Sequence, residues 1–380
     1  MKCVRAATVY TGHTVERDRY ILFEGAKFKG LSTHRQGTLV GDCAVITPAF
    51  IDAHSHIGIH RHGHPSAESE ANDHLDSILP LPDVLDSVQM DDDAFEQAVD
   101  WGTLYSCVLP GSANLISGCS AVIRHHAVSS TEALIGRAGV KAALGYNLMG
   151  AREQKGTRPS TRMGAMAVLR GKLQAVQAKS RKARSGRRRQ RVAADLTAEE
   201  QVLQDVLNRK TRLRVHAHKT DDIAALLRLV DEFGLDVTIE HAMDVNTPAV
   251  FRDLRKRGIP VVYGPVETSA SKVELRNKSW RNARCLLESG VRFGLMTDHP
   301  VTPSGQILQQ TRFLLRAGLS KQGAVELITR TNAEILGIDR FLGTLDRGKW
   351  ASFLCWNGDP FDLASHPVAV YGEGQFLAGD

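Results

Sequence analysis

Histidines and a carboxylate recur at four places in this chain where they could hold a metal ion. "FIDAHSHIGI", residues 50–59, is an apolar run that ends in His54 and His56. Residues i and i+2 of an extended chain point to the same face, so the two imidazoles can bite one ion together. Alone, an HxH pair reads more simply as two half-exposed histidines at a strand's end. The pattern repeats, however: His216 and His218 in "LRVHAHKTDD", His241 in "TIEHAMD" and Asp298 in "GLMTDHP" each close a short apolar run. Imidazole nitrogen with carboxylate oxygen is a donor set that suits zinc or a similar divalent ion.

These residues need a frame that brings them together. Eight short β-rich runs lie between residues 50 and 297: "FIDAHSH", "LYSCVLP", "SAVIRHH", "VKAALGY", "LRVHAH", "VTIEHA", "PVVYGP" and "VRFGLMTD". Helix patterns separate several of them, such as "DDDAFEQAVDWG", with acids in its first turn, and "TDDIAALLRLVDEFG", with a glycine stop. Strands alternating with helices predict a parallel sheet, and eight of them predict a (β/α)₈ barrel over residues 48–341. The C-terminal ends of barrel strands converge on one mouth. His54, His56, His216, His241 and Asp298, at the ends of strands one, five, six and eight, would therefore surround a common point. The longest interruption, residues 147–210, reads as an insertion on the barrel rim. Residues 1–47 and 342–380 are both β-rich and are expected to pair into one small β-sandwich beside the barrel.

Composition excludes other classes. The chain is 42% hydrophobic and 24% charged, as in globular proteins. No apolar run approaches the roughly 20 residues of a membrane span. The N-terminus lacks an apolar signal core, so a mature cytoplasmic protein is expected. Six cysteines without a CxxC pair read as reduced core residues. The net charge of +6 arises in one tract: residues 180–191 hold seven Lys or Arg and no acid, and without them the chain is close to neutral. A basic run with no interleaved aromatics reads as a solvated loop or helix end, not a specific nucleic-acid reader. The expected partners are a small-molecule substrate and, beyond that, at most a second copy in a homo-oligomer.

The chain resembles the amidohydrolase superfamily. "TPAFIDAHSH" stands where that family carries PGxIDxHxH, and "TNAEILGIDRFLGTLDRGKWASFLCWNGDP" is similar to its C-terminal passage from barrel to sandwich. "VLPGSANLISGCSAVIR" and "GVKAALGYN" with "TRMG" resemble the imidazolonepropionase-like branch. The resemblance implies one or two divalent metals, usually zinc, with Asp298 as both ligand and proton shuttle. It also implies a Glu after the glycine of strand four, where this chain has Tyr146. That departure points to a single metal or to ligation by the Tyr146 phenolate. Other branches bridge two metals with a carboxylated lysine on strand four. Lys141 sits on that strand, though four residues before its expected end, where a structural or surface role is the ordinary expectation.

The implied chemistry is hydrolysis of a C–N bond in an amide, cyclic amide or amidine. A bound divalent ion lowers the pKa of water from about 15.7 to about 7, and Asp298 would move its proton to the leaving nitrogen. His218 faces the same mouth and would hold the developing oxyanion or orient a ligand. The loop after strand one, with His60, His62, His64 and His74, is expected to line or cover the substrate pocket. Arg162 could clamp a substrate carboxylate. A catalytically inactive, assembly-type relative is the alternative, and the intact five-residue set speaks against it.

Overall fold

The computed structural model describes residues 1–61, 63, 65, 68–150, 158–184 and 196–379. The chain opens with β1 (Lys2–Tyr10), β2 (Val15–Glu24), β3 (Lys27–Ser32) and β4 (Thr38–Pro48). Eight barrel strands follow: β5 (Phe50–Ser55), β6 (Thr103–Val108), β7 (Ile116–Arg124), β8 (Leu134–Ala143), β9 (Leu213–Ala217), β10 (Val237–His241), β11 (Val261–Tyr263) and β12 (Phe293–Leu295). β13 (Phe353–Trp356), β14 (Pro367–Gly372) and β15 (Gln375–Ala378) close the chain.

The barrel strands pair in sequence order from β5 to β12. The expectation of an all-parallel sheet fails at one strand: β7 runs antiparallel to both β6 and β8. The connections explain it. Residues 109–115 hold no helix, and residues 125–133 hold only the single turn Ser130–Ala133. A parallel crossover needs a dozen or more residues, whereas an antiparallel return does not.

No ladder joins β12 to β5 among the described residues; side chains close much of that seam. The Asn332 amide donates to Ile51 O (2.6 Å) and Leu295 O (2.9 Å), and its oxygen accepts from Leu295 N–H (3.1 Å). Asp52 accepts from Thr297 N–H (3.1 Å), His54 N–H (3.3 Å) and the Thr297 hydroxyl. Burial outweighs those bonds and raises the Asp52 carboxyl to about 7. Gly294 leaves the room this requires, because a Cβ there would come within 1.8 Å of Asn332 Oδ1.

Both chain ends contribute to one seven-stranded sheet, ordered β15-β14-β13-β4-β1-β2-β3. It folds over on itself as a sandwich does. The Phe23 ring of β2 lies 5.5 Å from Phe353 of β13 although β1 and β4 intervene, and Phe353 stacks on Tyr371 at 4.6 Å. The rim insertion contributes the helices Arg162–Arg184 and Ala198–Leu207, the latter opened by a Thr197/Glu200 capping box. The basic tract of residues 181–191 begins on the last turn of the first helix, and residues 185–191 lie outside the described residues. No helix among the described residues is long and apolar enough to cross a membrane. All six cysteines are free.

Candidate metal centre

The candidate ligands gather at the mouth ends of their strands. His54 lies in β5 and His56 just past it, His216 lies in β9, His241 ends β10, and Asp298 follows β12. Backbone bonds tie the first and last strands there: Asp298 N–H donates to His54 O (3.1 Å) and His56 N–H to His299 O (3.0 Å). His241 and Asp298 adopt left-handed φ values of 79° and 54°. Non-glycine residues hold such angles at a cost on the order of 1–3 kcal/mol, and mainly where the surroundings over-determine them.

The atoms behind the rings decide what the rings present in front. His56 Nδ1 lies 2.7 Å from Leu109 O, and His241 Nδ1 lies 3.0 Å from Gly264 O. A carbonyl only accepts, so each Nδ1 carries the proton and each Nε2 is bare in the neutral ring. His54 Nδ1 meets the Glu240 carboxylate at 2.9 Å, with the same result. The bare Nε2 atoms of His54 and His56 then face Asp298 Oδ1 at 3.5 and 3.3 Å, acceptor against acceptor. His216 is turned the other way. Its Nε2 lies 3.3 Å from Glu274 Oε1, and its Nδ1 is buried with no hydrogen-bond partner, as is that of His218. Ligand atoms of His54, His241 and Asp298 lie within 4.8 Å of one another, and so do those of His216, His218 and His241.

Electrostatics matches that geometry. Burial lowers His54 to about 3 and also lowers His216, His218 and His241, so all four are neutral imidazoles at neutral pH. Burial opposes charge on Asp298, but His56, His54 and the Lys141 ammonium beside it outweigh burial and hold its carboxyl below the usual range. Neutral imidazoles and an ionised carboxylate are the forms in which these side chains ligate. The residues fit a divalent ion, which would reconcile the facing lone pairs.

Lys141 departs from its expected setting. It is fully buried, with Nζ 3.3 Å from His54 Nε2, and burial lowers its ammonium to about 8. The Tyr146 side chain is 41% exposed; what reaches the site at that position is its backbone N–H, which donates to Glu274 Oε2 (2.9 Å). The His218 ring stacks on His241 at 4.7 Å. His60 is half-buried on the turn after His56, and its N–H donates to His56 O (2.9 Å). His74 is exposed, while His62 and His64 lie outside the described residues. The Arg162 guanidinium already donates to buried Asp222 (2.7 Å), which occupies the fork expected to hold a substrate carboxylate.

Two buried acids escaped the sequence reading. Glu240 accepts from His54, from Arg214 Nη1 (3.0 Å) and from Thr238 Oγ1 (2.5 Å). Burial opposes its charge, yet Arg214 and His54 hold it at about 2. Glu274, on the turn Val273–Leu275, backs His216 and is held at about 2 despite its burial. Glu240 carried a signal, since it directly precedes a candidate ligand. Glu274, one of two acids in the loop after the seventh barrel strand, carried none.

Barrel strands that deliver neutral histidines and an ionised aspartate to one mouth, with a second sheet built from the chain ends, define a recognisable class of barrel protein. The amidohydrolase family model matches residues 45–376, and the chain belongs to that family. Members of the family are hydrolases that generally bind divalent metals. The chain is similar to an amidohydrolase from Thermotoga maritima MSB8, at 30% identity and a TM-score of 0.91 over 100% of both chains. It is 23% identical over 353 residues to amidohydrolase tasK of Hapsidospora irregularis, a match that takes in 87% of this chain but only 36% of that protein. The structure of a prolidase complexed with N-methylphosphonate-L-proline shares the fold, at 16% identity and a TM-score of 0.62 over 100% of both chains.

Proposed function

We propose that this chain hydrolyses a C–N bond of a small amide, cyclic amide, amidine or peptide-type substrate, using one or two divalent ions, zinc by the donor set. His54, His56, His216, His241 and Asp298 would hold the metal. One observation carries the reading: acceptors fixed behind three rings leave their Nε2 atoms bare and turned toward the same carboxylate-bearing mouth. A bound divalent ion supplies hydroxide at neutral pH and polarises the carbonyl under attack. Asp298 would accept the proton released as water attacks and pass it to the leaving nitrogen. His218 would donate to the oxygen on which charge develops. Peptide-type bonds belong in the range because a prolidase is among the proteins of the same fold. A largely buried, converging set of candidate ligands counts against an inactive assembly protein.

Lys141 supports two ions over one. Its Nζ reaches the His54 side of the cluster, and its charge also bears on His216 and His241. As a neutral amine, Nζ would add to the carbon of CO2 and release one proton, giving a carbamate with two oxygens to share between ions. Elemental analysis of the purified protein tests this. About two equivalents of metal are expected in the wild type and one or fewer in Lys141→Met, with a carbamate carbon resonance after incubation in ¹³C-bicarbonate. A wild type that holds no metal sinks the whole reading; unchanged stoichiometry in the variant sinks the bridge.

A further inference from the structure

The loop after β11 lines the mouth with two lysines that form no ion pair among the described residues. A cavity of about 280 Å³ there is lined by His218 and Asp298 from the metal cluster, by Lys272 and Lys278, and by apolar Met243 and Leu275. Its two carboxylates are committed elsewhere: Asp298 stands among the candidate metal ligands, its Oδ1 3.3 Å from His56 Nε2, and Glu267 pairs with Arg312. Half-buried Lys278 donates to Thr268 O (2.7 Å), and the Asn147 amide, turned to donate to Glu274, sets its oxygen 3.3 Å from Lys272 Nζ. Lys272 is exposed, whereas the Lys278 ammonium, drawn part-way out of water against a carbonyl oxygen, has lost hydration without gaining an opposite charge. Burial accordingly lowers Lys278 to about 8.

We infer that this cavity receives a substrate with a carboxylate beside the scissile amide, of the N-acyl-amino-acid or dipeptide kind. The carboxylate sits on Lys278 and Lys272, and the amino acid's side chain lies against Met243 and Leu275. This rests on the reading of the chain as an amide hydrolase and names the substrate half that remains with the amine. Water adds to the acyl carbon, the C–N bond breaks, and the nitrogen takes the proton to leave as a free amino acid.

Calorimetric titration of the metal-loaded protein tests the inference, with N-acetyl-L-alanine, N-acetyl-L-leucine and N-acetyl-L-phenylalanine, their neutral carboxamides, and inorganic phosphate. At least one acid should bind about tenfold or more tightly than its carboxamide. Charge-assisted hydrogen bonds of the usual strength predict that Lys278→Met and Lys272→Met each weaken the acid by about 10–100-fold and leave the carboxamide unchanged. Lys278→Arg should retain the preference, which separates lost charge from a collapsed loop. Equal affinity for acid and carboxamide, indifference to the lysine variants, or failure of all three acids to bind overturns it. Phosphate binding more tightly than any acid also overturns it, as the mark of a phosphate site. Metal content measured on the same sample keeps the readings apart: a metal-loaded enzyme that hydrolyses carboxamides as fast as acids sinks this inference alone.

Discussion

Glu240 is an acceptor on both of its oxygens, and that makes Glu240→Gln an informative change. Oε1 takes Arg214 and Thr238, while Oε2 takes His54, and Glu240, Arg214 and His54 are all fully buried. Glutamine has the same shape but only one oxygen. If that oxygen stays with Arg214, the amide NH2 faces His54 Nδ1, donor against donor, and the imidazole must move its proton to Nε2, the atom aimed at the metal. Arg214 cannot yield, because its charge is permanent and its Nη2 already lacks a partner. Two effects follow. Breaking a fully buried ion pair costs about 3–5 kcal/mol, read as a lowered denaturant midpoint. Loss of the partner that orients a ligating histidine costs about 10–100-fold in metal affinity, read by competition with a fluorescent chelator. In Arg214→Met/Glu240→Gln the amide oxygen is free to turn to His54, so metal affinity should return to within a few-fold of wild type and much of the stability with it. Wild-type metal affinity in Glu240→Gln, or no recovery in the double variant, would refute the argument that fixed acceptors set the ring tautomers.

Asp298→Asn should fold and keep its histidine-bound metal, since asparagine also tolerates the left-handed φ of 54°; turnover should fall by about 10²–10⁴-fold or more. Wild-type kcat with a lowered melting temperature would show the residue to be a structural cap instead. The metal-free protein should lose stability as pH falls from about 6.5 toward 3, because burial lowers both His54 and His125 to about 3. The unfolded chain takes up those protons first, so the contribution is full above 6.5 and declines by about 1.4 kcal/mol per pH unit for each histidine. Denaturant midpoints that stay flat between pH 6.5 and 5 would contradict this.

The gathering of the candidate ligands at one mouth was legible because the β-strand period and the barrel mouth are strict geometric rules: a histidine that closes an apolar run has few other places to point. The pairing of the chain ends was legible for a related reason, since two lone β-rich tails leave edges that must be covered. Strand direction was less so. The reversed β7 is written in the shortness of residues 109–115 and 125–133, a count of linker length that apolar patterning alone does not make. Lys141 and Glu274 were opaque on physical grounds. Whether a lysine stem runs outward to water or inward to a cluster depends on neighbours distant in sequence, and the same holds for an acid in a loop.

The Asn332 clasp also bears on how the chain is made. It joins residues 281 positions apart, so on the ribosome the first barrel strand must wait for nearly the whole polypeptide before its open flank finds a partner. In that interval β5, buried along its full length in the finished barrel, presents an unpaired apolar edge of the kind that invites other chains. The HxH pair is thus synthesised early and completed late. A nascent chain stalled before residue 332 would carry its two candidate ligand histidines on an unclosed sheet, open to stray ions and to chaperones alike.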